Sequence, residues 1–90
     1  MAALFALGRL VATPGALTAL AAAGENPVGL LARHQSGDWG DVGPEDWRAN
    51  DRDLRQGRRL LSAYGVGGSR LWIITEADRS ATTILLPEEY

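Results

Sequence analysis

The runs Leu60-Leu61-Ser62-Ala63-Tyr64-Gly65-Val66, Arg70-Leu71-Trp72-Ile73-Ile74-Thr75-Glu76 and Ala81-Thr82-Thr83-Ile84-Leu85-Leu86 decide the fold of this 90-residue chain. Each is rich in Ile, Leu, Trp, Thr or Tyr, and the pattern has the period of two that a pleated strand imposes. The separators Gly65-Val66-Gly67-Gly68 and Ala77-Asp78-Arg79-Ser80 are short and turn-forming, so the three runs form an antiparallel meander. In the middle strand Leu71, Ile73 and Thr75 point one way and Arg70, Trp72, Ile74 and Glu76 the other. Both faces carry apolar residues, so helices cover one and the second is partly covered or forms an interface. Pro87-Glu88-Glu89-Tyr90 ends the pairing and leaves an acidic tail.

Upstream the signals are helical. Thr13-Pro14 places an N-cap hydroxyl before a proline at the first helical position, and Gly24 supplies the left-handed stop. Leu17, Leu20 and Ala21 are the inward residues of this helix. Asn26-Pro27 repeats the device and opens a second helix, with Leu30, Leu31 and His34 at helical spacing and Gly37 as its end. Asp38-Trp39-Gly40-Asp41-Val42-Gly43 is a turn wrapped around a large aromatic ring. Pro44 opens a third helix with Glu45 and Asp46 at its positive pole, and Trp47, Leu54 and Leu61 form a thin apolar face. Residues 4–12 are a short apolar run, expected to be a strand buried on both faces, weakened at Gly8 and joined to the sheet of the meander. The expectation is one α+β domain over residues 1–90: an N-terminal strand, three helices and a C-terminal three-stranded antiparallel meander.

Composition narrows the function classes. The chain is 46 % hydrophobic and 22 % charged with a net charge of −2, ordinary for a soluble domain with a small core that dimerisation would help. It has no cysteine and one histidine, which excludes a disulfide framework, a thiolate metal cluster and a His-rich metal site. No cofactor motif is present, no apolar run reaches the roughly 18 residues of a membrane span, and the opening residues lack the basic region of a signal peptide, so a cytoplasmic location is expected. All nine basic residues are arginine. Together with the abundant Ala, Gly and Leu, this reads as GC-rich coding.

Three places offer chemistry. His34 precedes Asp38 by one helical turn, with Asp41 behind it, and an imidazole oriented by a carboxylate is the start of a general base. Ser36, Thr82 or Thr83 would be the nearby hydroxyls. The competing reading makes His34 a helix-end donor to terminal carbonyls and Asp38 a turn cap. Arg48, Arg52, Arg55 and Arg59 recur at steps of four, three and four, which puts four guanidinium groups within about 60° of one helix face. With Trp39 and Trp47 as stacking partners, such a stripe fits an acidic protein surface or nucleic-acid phosphates, and the net negative charge favours the protein. Glu45–Arg48 and Asp51–Arg55 have the spacing of ordinary helical ion pairs, which would make the face merely solvated. Lastly, Glu76-Ala77-Asp78-Arg79-Ser80 gathers two carboxylates and an arginine, too few ligands for a metal and enough for an Asp turn with Arg79 pairing back to Glu76.

The run Arg33-His34-Gln35-Ser36-Gly37-Asp38-Trp39-Gly40-Asp41 and the closing run from Leu71 to Pro87, with Ala12-Thr13-Pro14-Gly15-Ala16-Leu17 near the start, resemble a family of small bacterial proteins common on plasmids and other mobile elements. Members are sometimes labelled as associated with restriction systems. The resemblance implies a mobile-element setting and carries no assigned catalytic residue. The expected function is a non-enzymatic protein that acts by occupying a protein partner, in the contest between mobile elements and host defence. The alternatives are a small nuclease-type toxin built on His34 and a nucleic-acid binder built on the arginine stripe. A homodimer is also expected, because a short meander leaves an edge strand.

Overall fold

The computed structural model describes residues 3–90. In chain order the elements are β1 (Arg9–Ala12), α1 (Pro14–Ala23), α2 (Pro27–Gln35), α3 (Pro44–Gln56), β2 (Leu60–Val66), β3 (Ser69–Thr75) and β4 (Ala81–Leu85), followed by a 3₁₀ turn over Pro87–Glu89. Three helices and a four-stranded mixed sheet make an α+β fold, with sheet order β1-β4-β3-β2. β2, β3 and β4 pair antiparallel in succession, and β1 lies parallel to β4, with Arg9 opposite Ala81 and Ala12 opposite Ile84.

The helix starts follow from local chemistry. Thr13 accepts the Ala16 amide at 3.2 Å and Asn26 accepts the Val28 amide at 2.9 Å. Each of the three helices begins with a proline, whose missing N–H costs nothing there, and α1 and α3 stop at left-handed Gly24 and Gly57.

Alternation along the strands sorts the sheet into two faces. On the first, Tyr64, Val66, Leu71, Ile73 and Ile84 pack beneath Ala16 and Leu20 of α1 and Leu30 and Leu31 of α2. On the second, Ala63, Ile74 and Leu85 are buried, while Leu61 and Trp72 are half-buried beside α3 and Tyr90.

Three expectations need correction. The first strand is four residues long rather than nine and is not buried: Leu4 and Leu10 are each 55 % exposed and Val11 42 %. An apolar run says nothing about whether its strand lies at the margin of a sheet, and this one does. The chain enters β1 through Gly8, whose φ of +66° brings its backbone against the carbonyls of Arg79 and Ser80, where no side chain fits. In α1 the inward residues are Ala16 and Leu20, whereas Leu17 and Ala21 face solvent. The third helix ends at Gln56, so Leu61 belongs to β2 rather than to the helical face.

Candidate functional site

His34 is on the inward side of α2, completely buried, and reaches across the first face of the sheet. Its Nδ1 lies 2.5 Å from Ser62 Oγ and its Nε2 2.8 Å from Thr75 Oγ1. Thr75 Oγ1 is 2.8 Å from Thr82 Oγ1, which donates to the Leu7 carbonyl at 2.7 Å. The terminal carbonyl fixes every proton in this chain. A carbonyl only accepts and a hydroxyl carries one proton, so Thr82 is spent on Leu7 and Thr75 must donate to Thr82. His34 Nε2–H then donates to Thr75, and bare Nδ1 accepts from Ser62. Phe5 and Trp39 meet the imidazole edge-on, with centroids at 5.2 and 5.7 Å. Burial holds the His34 pKa down to about 4, and the charge of Arg79 adds to the effect, so the ring is neutral at physiological pH.

Asp38 belongs to a different set of contacts. Its Oδ2 accepts from Arg33 Nε at 2.7 Å and its Oδ1 from the Gly40 amide at 3.1 Å. The Arg33 hydrogen bond holds its carboxyl below the ordinary carboxylate range. The Tyr64 hydroxyl donates to the Asp38 carbonyl at 2.5 Å, and Arg33 lies over the Tyr64 ring at 4.5 Å. The His34–Asp38 general base is therefore not assembled, because each ring nitrogen faces a hydroxyl and the carboxylate is fixed on Arg33. The alternative of His34 as a helix-end donor fails too, since it faces strands rather than carbonyls of its own helix. Ser36 turns back to the Arg33 carbonyl.

The rest of the Asp38–Asp41 turn closes the outer edge of β2. The Trp39 carbonyl accepts the Ala63 amide at 3.0 Å and the Asp41 amide donates to the Ala63 carbonyl at 2.6 Å. Gly40 at φ +75° touches the Ala63 backbone so closely that a Cβ would collide with it. One step along, Asn50 of α3 donates to the Leu61 carbonyl at 2.7 Å and accepts the Leu61 amide at 3.2 Å, doing with a side-chain amide what a neighbouring strand would do. Trp39 is fully buried, with its indole N–H on Asp51 at 2.9 Å, so it is no stacking platform, and Trp47 is half-buried.

The arginine stripe divides. Arg48, Arg52 and Arg55 are exposed on one face of α3, while Arg59 lies beyond the helix and turns to Tyr90, donating to its hydroxyl at 2.6 Å. The helix is shorter than its arginine spacing suggests, because Gly57 stops it. Neither Glu45–Arg48 nor Asp51–Arg55 forms an ion pair among the described residues, where the acid–base contacts are Arg33–Asp38, Arg52–Asp53 at 3.6 Å and Arg58–Asp53 at 3.9 Å. Asp51 accepts the Trp39 indole N–H through Oδ1 instead.

In the last turn Asp78 caps the Ser80 amide at 3.0 Å, as expected of an Asp turn. Arg79, however, donates to the carbonyls of Arg58 and Glu76 rather than pairing with the Glu76 carboxylate. An open groove of about 440 Å³ runs between α3 and the second sheet face, past Asn50, Asp53, Leu61, Trp72 and Tyr90. Ser62, Thr75 and Asn50 escape a reading by local spacing. The hydroxyls did carry a signal, since Ser62, Thr75 and Thr82 all occupy inward positions of their strands, where a polar residue needs a buried partner. No protein-family model, curated protein or solved structure matches the chain.

Proposed function

We propose that this is a non-enzymatic binding protein that engages an acidic surface of a protein partner through Arg48, Arg52 and Arg55. The observation that carries the reading is that Arg48 and Arg55 make no ion pair among the described residues and Arg52 meets only Asp53, at 3.6 Å, while Asp51 accepts the Trp39 indole N–H instead of pairing with Arg55. Three like charges on neighbouring turns repel one another, and a carboxylate-rich partner relieves that cost while using the bidentate geometry of guanidinium. The net charge of −2 favours a protein over a polyanion such as DNA. The polar groups that looked chemical, His34 and Asp38, are both occupied by internal hydrogen bonds. The mobile-element setting implied by the sequence runs makes host-defence proteins the first partners to try.

The triple substitution Arg48→Gln, Arg52→Gln and Arg55→Gln should change stability by less than about 1 kcal/mol, since exposed charges on a helix contribute little to folding. Immobilised wild-type protein should retain an acidic partner from the native host that the triple variant does not, and neither should hold duplex DNA at physiological salt. Retention of DNA that weakens steeply with salt and vanishes in the variant would transfer the face to nucleic acid. A variant that keeps the protein partner would remove the arginines from the interface.

A further inference from the structure

We propose that the open edge of β1 docks a second copy of this chain, the two β1 strands running antiparallel about a two-fold axis at Val11. The two edges of the sheet are treated differently. Asn50 and the Trp39–Asp41 turn satisfy the outward backbone groups of Leu61 and Ala63 on β2, whereas β1 has no such cover among the described residues. The amides of Arg9 and Thr13 donate to the Ser80 and Ile84 carbonyls, so strand parity aims the amides and carbonyls of Leu10 and Ala12 outward, free to pair. Exposed Leu10 and Val11 flank those groups, where solubility alone would favour charge.

Parity also sets the register. Outward-pointing residues must exchange hydrogen bonds, so Leu10 pairs with Ala12 of the partner subunit, and Val11 meets Val11 of the partner subunit as a close non-hydrogen-bonded pair. Arg9 then lies opposite Thr13 of the partner subunit. That threonine carries a carboxylate: Glu89 Oε1 accepts the Thr13 hydroxyl at 2.5 Å and Oε2 accepts the Gly15 amide at 3.2 Å. Arg9 is exposed and makes no ion pair among the described residues. The antiparallel arrangement thus brings the basic start of each strand to the acidic end of the other, twice by symmetry, while a parallel one would set arginine against arginine. A four-residue strand buries little area, so the pair should be reversible, in the high-micromolar range.

The chain has no cysteine, which makes a single Val11→Cys substitution a clean probe. Two such residues on the axis lie within disulfide reach, so under mild oxidation the variant should cross-link about tenfold faster than Val28→Cys, an exposed control on α2. Sedimentation of unmodified protein should show a monomer–dimer equilibrium, and Val11→Arg should abolish it without changing the melting temperature. A strict monomer through high micromolar concentration would overturn the proposal. So would cross-linking no faster than the control, or a dimer that survives Val11→Arg.

Discussion

At the scale of single residues, His34 couples stability to pH. The unfolded chain takes up a proton at the ordinary histidine pKa of 6.5, and the folded chain resists until about 4. Between those values the unfolded state binds more protons, so stability is complete above the window and falls as pH drops through it, by about 3 kcal/mol in all. Thermal melting followed from neutral to acid pH checks this. In a His34→Gln variant the slope within the window should disappear, leaving the loss at lower pH that comes from carboxylates such as Asp38, whose pKa the fold depresses. The variant should also be less stable at neutral pH, because the Ser62 and Thr75 hydroxyls lose a matched partner. A helix-end histidine, the role its sequence position suggests, would affect stability far less. The difference was not legible locally, because the partners of His34 are 28 and 41 residues away.

At the scale of elements, Asn50 is a helical residue that performs the work of a strand. Replacing it with leucine keeps the volume but strips the Leu61 amide and carbonyl of partners, at a cost of about 2 kcal/mol. Hydrogen exchange at the Leu61 amide should accelerate selectively in Asn50→Leu, and an unchanged rate would mean that water serves this edge equally well. The helix starts were readable because Thr13, Asn26 and the prolines act within a few residues of themselves. The meander strands were readable because alternation is a local pattern. The pairing of β1 with β4, the length of β1 and the fate of Arg59 were not, since each depends on what the rest of the chain places beside it.

At the scale of the whole molecule, the second face of the sheet lies beside α3 and, next to Trp72, beneath the ring of Tyr90. Tyr90 is 68 % exposed, yet its ring meets Trp72 at 5.7 Å and 67° and receives Arg59. Tyr90→Ala should cost less than about 1 kcal/mol, the usual worth of an aromatic or cation–π contact at an exposed position. It should move Trp72 into water, seen as a red shift in emission that is absent when Trp72→Phe is combined with it. An unshifted spectrum would mean that α3 alone shields the indole.

The covered stretch of the β2 rim has a consequence for how large any assembly can become. In polymer chemistry a unit with two reactive ends propagates, and a unit with one end terminates as soon as it finds a mate. Asn50 and the Trp39–Asp41 turn occupy the outward groups of Leu61 and Ala63 at one of the two ends of this sheet, so the strand addition proposed for β1 would leave a third chain only the short stretch at Gly65 as a template. On the proposed β1 pairing, opening that rim would give the sheet two reactive ends, the condition for fibres rather than pairs.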